Sequence, residues 1–189
     1  MRIEHIGLKK AVIGISGGLD SALTLLVADK AFDLLALPKE NIICITMPGF
    51  GTTRRTKSSA VTLTECIGAQ LRDIDIVPAC TQHMRDIGHD MSILDVTYEN
   101  VQARERTQIL MDTANKEGAL LVGTGDLSEL ALGWCTYNAD HMSMYGVNCS
   151  VPKTLVRYLV DFVADERGGK LGEVLREILA TPVSPGLLP

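Results

Sequence analysis

Short apolar runs alternate with longer stretches of helical periodicity along most of the chain. Buried strands are predicted where the runs are short or alternate, over 11–15, 41–47, 73–77 and 119–122. Helices are predicted where apolar residues recur at helical spacing, over 22–37, 56–71, 98–117, 127–132, 151–166 and 171–180. Because strands and helices alternate, the sequence predicts an α/β fold, an open, doubly wound parallel sheet with helices on both faces.

Other segments have weaker patterns. Residues 81–91 form either a helix or an irregular segment that holds a substrate. Residues 134–149 are polar and long for a connection, and long ordered loops are often functional. Residues 48–53 leave the carboxyl end of a strand and form either a wall or lid of a site or a plain turn. The tail over 181–189 is predicted to be extended, as at a truncation point.

Residues 14–21 read Gly-Ile-Ser-Gly-Gly-Leu-Asp-Ser and lie between the first predicted strand and the first predicted helix. Gly17 and Gly18 can adopt backbone angles that other residues avoid, so the amides of this turn can close around a phosphate chain. The loop has Asp20 and lacks the lysine of the common phosphate loop, and an acid beside phosphates indicates a metal ion between them. A generic tight connection of a dinucleotide fold is the alternative, although no Gly-x-Gly-x-x-Gly occurs here. The string resembles the pyrophosphatase loop of the N-type ATP pyrophosphatases, which cleave ATP to AMP and pyrophosphate.

A second turn, over 123–129, also lies where a predicted strand ends and a helix begins. On neighbouring strands the two turns would face one crevice, and Asp20 and Glu129 would share a magnesium ion bound to ATP, since that metal prefers oxygen ligands. Acids at a helix start also cap helices, and this is the alternative interpretation of Asp126 and Glu129.

Several cationic and aromatic residues are candidates for ligand contacts. Asn100 and Arg104 are four residues apart on one helix and share a face with the potential to bind carboxylate or phosphate. A solvated face of that helix, with Arg104 and Arg106 paired to nearby glutamates, is the alternative. Trp134 and Tyr137 offer flat rings for stacking, although a lone tryptophan can also fill a core. Lys153 at a helix start opposes the dipole, which indicates a use near phosphate.

Composition excludes several classes of function. At 189 residues with 46% hydrophobic content, the chain fits one domain over 1–189 with a sizeable core. A net charge of -5 argues against a dedicated nucleic-acid binder, and no apolar run is long enough to span a membrane. Five cysteines without a C-x-x-C pair suit a reducing compartment, and most of them are predicted to be buried. We therefore expect a cytoplasmic protein.

Four motifs in order resemble NAD synthetase, and more narrowly the synthetase domain of its long, glutamine-dependent form. They are the loop over 15–21, Asn-Val-Gln-Ala-Arg-Glu-Arg over 100–106, the turn over 123–129, and Gly-Trp-Cys-Thr-Tyr over 133–137 with Val-Pro-Lys-Thr over 151–154. The resemblance implies an adenine nucleotide alpha hydrolase-like fold and an amide ligase. With ATP as co-substrate, such a ligase activates the nicotinate carboxylate of deamido-NAD as an acyl-adenylate, and ammonia then displaces AMP to give NAD.

The same resemblance implies roles for individual residues. The ATP-binding residues would be Gly14, Ile15, Ser16, Gly17, Gly18, Asp20, Ser21, Met47, Thr124 and Lys153. The deamido-NAD-binding residues would be Asn100, Arg104, Glu129, Trp134, Tyr137 and Asp140. Asp20 and Glu129 would bind Mg²⁺, and together with Lys153 they would act by positioning and charge stabilisation, without a covalent nucleophile.

The chain also departs from the family pattern. The long form has an amino-terminal glutaminase that supplies ammonia from glutamine, and its synthetase domain continues past the segment matching 184–189; neither part has a counterpart here. Asn138-Ala139 stands before Asp140 where a glycine is expected. The resemblance further implies a homo-oligomer. A related ligase of the GMP synthetase type and a non-catalytic adenine-nucleotide-binding module are the rival interpretations.

Overall fold

A computed structural model of the chain describes residues 2–52 and 54–181, with their side chains except those of residues 54–56. Five parallel strands form one sheet in the order β3-β2-β1-β4-β5. The strands are β1 (Ala11–Gly14), β2 (Ile42–Thr46), β3 (Gln70–Asp73), β4 (Leu120–Gly123) and β5 (Tyr145–Gly146). The helices are α1 (Arg2–His5), α2 (Leu19–Leu34), α3 (Arg54–Ile67), α4 (Val77–Asp86), α5 (Val96–Glu117), α6 (Leu127–Leu132), α7 (Lys153–Arg167) and α8 (Gly169–Leu179).

Helices cover both faces of the sheet, which confirms the predicted doubly wound architecture. On one face, Ile13 and Cys44 pack with buried residues of α2, α3, α7 and α8. On the other face, Val12, Ile43 and Leu121 pack with buried residues of α4 and α5. The central strands are therefore apolar on both sides, and this explains why they appear in the sequence as continuous hydrophobic runs.

The predicted strand over 73–77 is wrong. The edge strand β3 occupies Gln70–Asp73, and α3 ends at Ile67 rather than continuing to residue 71. The residues of β3 are exposed or half-buried, so an edge strand of this kind lacks the apolar run by which the central strands are recognised.

Two other boundaries also differ. Helix α4 spans Val77–Asp86 rather than 81–91, and its second residue, Pro78, suits a helix start because proline needs no backbone N–H donor there. The two-residue strand β5 lies inside the segment that was predicted as a loop, and it is too short to produce a periodic pattern. The predicted tail lies outside the described residues from position 182 onward.

The cysteines differ from the expectation that most are buried. All five are free thiols, and only Cys44 and Cys80 are buried. Burial raises the pKa of Cys44 to about 12 and that of Cys80 to about 11. Within the described part of the chain, no helix is long and apolar enough to cross a membrane.

Two ion pairs connect the carboxyl end of α5 to the sheet. Glu117, at the end of α5, accepts hydrogen bonds from Lys10 before β1 at 2.9 Å and from Arg72 of β3 at 2.7 Å. These two cations lower the pKa of Glu117 from 4.5 to about 2. Because its folded-state pKa is depressed, the carboxylate stabilises the fold above pH 4.5 and loses this effect as the pH falls toward 2.

We expect Glu117→Gln to lower the thermal unfolding midpoint at pH 7 and to match the original chain near pH 2. Thermal unfolding between pH 7 and 2 measures this difference. Glu173→Gln is the control, since Glu173 is an exposed glutamate of another helix. A difference for Glu117→Gln that stays constant across the pH range would contradict the assignment.

Candidate functional site

The carboxyl ends of β1 and β4 mark the point where the strand order reverses. The chain runs from β1 outward to β2 and β3, and then returns to place β4 on the other side of β1. In open α/β sheets, ligands bind at such a switch point, in the crevice outside the carboxyl ends of the strands. Two turns lie at this switch point. We call residues 14–21, from the end of β1, the glycine turn, and residues 123–129, from the end of β4, the second acidic turn.

Serine side chains hold the shape of the glycine turn. Gly17 has a φ of +80°, a conformation that favours glycine. Ser16 Oγ accepts a hydrogen bond from the Gly18 amide at 3.2 Å, and Ser21 Oγ donates to the Gly18 carbonyl at 3.0 Å. Gly18 caps α2 without a side-chain hydrogen bond. The turn thus presents the amino terminus of a 16-residue helix to the crevice, where its dipole favours an anion.

Three carboxylates from the two turns meet in this crevice. Asp20 lies in the first turn of α2, Asp126 caps α6, and Glu129 lies in the first turn of α6. One oxygen atom from each lies within 4.8 Å of the others. We call these three residues the acidic cluster, and the expectation that Asp20 and Glu129 share one crevice is confirmed by this geometry.

Helix capping, the alternative interpretation of the second turn, is also correct. Asp126 Oδ1 accepts from the Glu129 amide at 2.9 Å, and Glu129 Oε2 accepts from the Asp126 amide at 3.2 Å. This reciprocal pair is a capping box, and it leaves the second oxygen of each acid directed elsewhere. The two interpretations are therefore compatible, because capping orients the acids of the cluster.

Lys153, the first residue of α7, places its ammonium group inside the acidic cluster. Its Nζ lies 2.5 Å from Asp20 Oδ2, 2.7 Å from Asp126 Oδ2 and 3.2 Å from Glu129 Oε1. Its backbone amide donates to Ser128 Oγ at 3.0 Å, which anchors the start of α7 to α6. A residue 133 positions after Asp20 thus completes the constellation.

The charges of this group do not balance, since three carboxylates surround one ammonium. Burial raises the pKa of Asp20 to about 6 against the opposing effect of Lys153, and the neighbouring carboxylates add to the rise. Burial also opposes ionisation of Asp126, but hydrogen bonds from Lys153 and the Glu129 amide lower its pKa overall. Hydrogen bonds to Asp126 and Asp20 outweigh burial and raise the pKa of Lys153.

The acidic cluster suits a hard divalent cation. Its donors are carboxylate oxygens, the ligands that magnesium prefers. Asp20 Oδ1 is buried and has no hydrogen-bond partner among the described residues, so it retains a free acceptor. The ammonium of Lys153 lies among the three acids, so in this structure their negative charge already faces a cationic group.

A second group of predicted residues either lies in the loop over 133–141 or contacts it from α5. Asn100 Oδ1 accepts from Thr136 Oγ1 at 2.9 Å, and Arg104 Nε donates to the Tyr137 carbonyl at 3.3 Å. Asp140 Oδ1 accepts from the Thr136 amide at 2.8 Å. Asn100 and Arg104 therefore contact the same loop, which confirms that they share a face of α5, whereas Asp140 makes a hydrogen bond within the loop. Asn138, at the position before Ala139 and Asp140, has a φ of +60°, a conformation that favours glycine.

The aromatic side chains of this loop are exposed. Trp134 is 72% exposed and Tyr137 is 82% exposed, so neither fills the core. The Trp134 amide donates to the Glu129 carbonyl at 2.9 Å, which joins the loop directly to the helix that bears the acidic cluster. The two rings are thus free to contact a ligand near the crevice.

The loop after β2 packs against α5. Arg106 Nε donates to the Met47 carbonyl at 3.1 Å, and the Phe50 amide donates to Gln102 Oε1 at 3.2 Å. A Cβ atom on Gly49 would lie only 2.6 Å from Gln102 Oε1, so the backbone approaches α5 closely. Residues 48–52 are therefore packed rather than detached from the fold, and Thr53, the last residue of the predicted segment, lies outside the described residues. The solvated-face alternative is wrong for Arg106, since burial lowers its pKa.

Three other predicted ATP-binding residues, Gly14, Ile15 and Thr124, make packing contacts or hydrogen bonds within the fold. The side chain of Ile15 is buried in the core, and its amide donates to the Ile45 carbonyl at 2.9 Å. Gly14 packs against α5, because a Cβ atom there would lie 2.9 Å from Leu110 Cδ1. The Thr124 carbonyl accepts from Asn148 Nδ2 at 3.1 Å.

Sequence reasoning did not identify Asn148, and it assigned Asp126 only a capping role. Asp126 could have been found from the topology, since it lies on the same turn as Glu129. Asn148 lies in a polar segment without a periodic pattern, and no local signal indicates its burial.

Comparison with known proteins identifies the family of this chain. The family model described as NAD synthase matches residues 1–182. The chain is 45% identical to the glutamine-dependent NAD(+) synthetase of Mycobacterium bovis and 33% identical to that of Synechocystis sp.. These alignments cover 100% and 97% of this chain, but only 29% and 32% of the relatives.

A solved structure gives the same relationship. The glutamine-dependent NAD+ synthetase of Acinetobacter baumannii, in complex with adenosine diphosphate, superposes with a TM-score of 0.85 at 28% identity. The match covers 97% of this chain and 34% of that chain. With a family model spanning nearly its whole length, this chain belongs to the NAD synthase family.

Proposed function

We propose that the chain forms the synthetase part of a glutamine-dependent NAD synthetase, a ligase that amidates deamido-NAD to NAD in the cytoplasm. The observation that carries this proposal is the acidic cluster with Lys153 beside a glycine turn at the switch point of the sheet. A passive nucleotide binder has little need for three acids and a lysine that converge on one crevice. The family membership supports the same reaction class.

In this proposal the glycine turn holds the pyrophosphate end of ATP. Backbone amides of the turn and the amino terminus of α2 stabilise the negative charge on the phosphates. Ser16 and Ser21 maintain the turn through their mutual hydrogen bonds and through those to Gly18. Thr124, on the neighbouring turn, and Met47, directly after β2, complete the ATP site.

Asp20, Glu129 and the newly identified Asp126 would hold Mg²⁺ together with the phosphates of ATP. Bound there, magnesium would neutralise the charge that develops on the departing pyrophosphate. Lys153 supplies a positive charge at the same point, and its side chain is long enough to exchange a carboxylate for a phosphate oxygen. The chain's own residues thus act by orientation and charge stabilisation.

The second group of residues would position deamido-NAD against the α-phosphate of ATP. Asn100 and Arg104 hold the loop over 133–141 from α5, and Asp140 makes a hydrogen bond within it. Trp134 and Tyr137 offer exposed rings for stacking. The substrate carboxylate attacks the α-phosphorus, the bond to the bridging oxygen breaks, and pyrophosphate leaves. Ammonia then attacks the acyl carbon, loses a proton, and displaces AMP.

The nitrogen source and the oligomeric state of the protein are part of the same proposal. Ammonia would come from glutamine, as the names of the relatives indicate for those proteins. Homo-oligomerisation is supported by the apolar side chains that α7 exposes at helical spacing, Leu155, Tyr158, Leu159 and Phe162, which a second copy would cover.

Pyrophosphate release tests the reaction. We expect release from ATP, Mg²⁺ and ammonium only when deamido-NAD is present, with an equal amount of NAD formed. The assay uses this chain and a chimera in which it replaces its matching segment in the Mycobacterium bovis relative, which supplies the segments outside the match. Release driven by xanthosine monophosphate would move the assignment to a GMP synthetase type. Nucleotide binding without release by the chimera would favour the non-catalytic module.

A further inference from the structure

Asn148 is a buried polar residue that contacts both turns of the proposed site. It is 1% exposed, and its Nδ2 lies within hydrogen-bond distance of three acceptors. These are the Asp20 carbonyl at 3.0 Å, Thr24 Oγ1 at 3.0 Å and the Thr124 carbonyl at 3.1 Å. Asp20 and Thr24 belong to α2, whereas Thr124 belongs to the turn after β4. One amide group therefore links two turns that are far apart in sequence.

The hydrogen bonds of Asn148 join segments that lie beyond the paired residues of β1 and β4. The last paired residues of β1 and β4 are Ile13 and Val122, and beyond them the two backbones diverge into their turns. Asn148 donates to both segments beyond the paired strands, at the Asp20 carbonyl in the first turn of α2 and at the Thr124 carbonyl after β4. This amide therefore joins the two backbone segments that carry the halves of the acidic cluster, as the ammonium of Lys153 joins their side chains.

The residues after Asn148 set the position of Lys153 on the same turns. The Val151 amide donates to the Asn148 carbonyl at 2.8 Å, and the Val151 carbonyl accepts from the Leu127 amide at 3.0 Å. The Lys153 amide then donates to Ser128 Oγ. Asn148 is thus the first anchor of a short segment, over 148–153, that ends with the ammonium in the acidic cluster.

Burial of Asn148 has a cost that simple core filling would avoid. Its Oδ1 is buried and accepts no hydrogen bond from the described residues. An unpaired buried acceptor destabilises a fold, and an apolar side chain of similar volume would not carry this cost. A role for the donor group of Asn148 accounts for a polar residue at this position.

We infer that Asn148 is a positioning residue, which holds the glycine turn and the second acidic turn at the separation that a metal-bound triphosphate spans. The inference rests on the proposed function, because it assumes that the ligand contacts both turns. It assigns no contact between Asn148 and the ligand. The residue acts through Asp20 and Thr124, whose backbones it fixes.

The test compares a ligand that spans both turns with one that needs only the glycine turn. For the 189-residue chain, calorimetry would give the affinity for Mg·ATP and, with a chelator present, for inorganic pyrophosphate. We expect Asn148→Ala to weaken Mg·ATP binding about tenfold or more, as is usual when a group that orients metal ligands is lost. Pyrophosphate binding is expected to change less than about threefold, which corresponds to a small free-energy difference.

Controls separate positioning from loss of stability. Leu63→Ala destabilises the core on another helix, and it should leave the ratio of the two affinities unchanged. Thr24→Val removes a hydroxyl that donates to the Asp20 carbonyl and accepts from Asn148, so it should lower the ratio in part, whereas Thr24→Ser should restore it. If Asn148→Ala does not fold, the two Thr24 variants test the positioning role of Asn148.

The outcomes distinguish the inference from the proposed function. If the unmodified chain binds Mg·ATP no more tightly than pyrophosphate, the two-turn site and the inference both fail. If the chain prefers Mg·ATP and the Asn148 and Thr24→Val variants keep that preference, only the positioning role of Asn148 is overturned. An equal loss of both affinities in these variants would also overturn it, because it would indicate a general effect on the fold.

Discussion

Replacing Lys153 with methionine is expected to weaken Mg·ATP binding about 10- to 100-fold, since a hydrogen bond between charged groups is among the stronger polar contacts. Methionine keeps most of the length of the side chain but removes the ammonium that contacts Asp20, Asp126 and Glu129. The same change should raise the affinity of the chain for free Mn²⁺ in the absence of nucleotide. The three carboxylates would then be without their internal cation.

Mn²⁺ binding, followed by electron paramagnetic resonance, and calorimetric titration with Mg·ATP measure the two effects. Thermal unfolding provides a third readout, because unpaired carboxylates destabilise the variant and a divalent cation should restore its midpoint. Lys57→Met is the matched control, since Lys57 also pairs with an aspartate, Asp73, but lies at the surface on another helix. Unchanged Mn²⁺ affinity in Lys153→Met would show that the ammonium does not occupy a cation site.

Replacing Asp20 with asparagine is expected to weaken magnesium-dependent ATP binding about 10- to 100-fold, as is typical when a group in or next to a metal shell is changed. The fold should stay intact. Burial raises the pKa of Asp20 to about 6, so the structure disfavours its charged form, and a neutral amide of the same shape should be tolerated. The loss is therefore expected in metal-dependent binding rather than in stability.

Titration with ATP at several Mg²⁺ concentrations measures this effect, with thermal unfolding as the check on the fold. Asp33→Asn serves as the control, because it removes the same charge from the exposed far end of the same helix. If the ATP affinity of Asp20→Asn depends on Mg²⁺ as it does in the original chain, Asp20 is not a metal ligand.

Much of the architecture was predictable because it rests on local patterns. The apolar runs of β1, β2 and β4 are continuous since helices bury both faces of these strands. The edge strand β3 was misplaced for the opposite reason, since its residues are exposed or half-buried. The two-residue strand β5 lacks any pattern and was missed.

The candidate site was predictable to the extent that its residues lie at strand ends. Asp20 and Glu129 each follow a recognisable strand, and the parallel sheet brings such ends to one edge. The dual role of Asp126 was not apparent, because capping alone explains an acid at a helix start. The exposure of Trp134 was also undecided until the structure excluded core filling.

By itself, the sequence determined the two turns and the strands and helices next to them, because glycine conformation and hydrophobic periodicity act between near neighbours in the chain. Only the tertiary structure decided that Lys153 lies among three carboxylates and that Asn148 links the turns. Lys153 and Asn148 lie 133 and 128 residues from Asp20. Contacts over such separations depend on strand order and helix packing, which no local pattern contains.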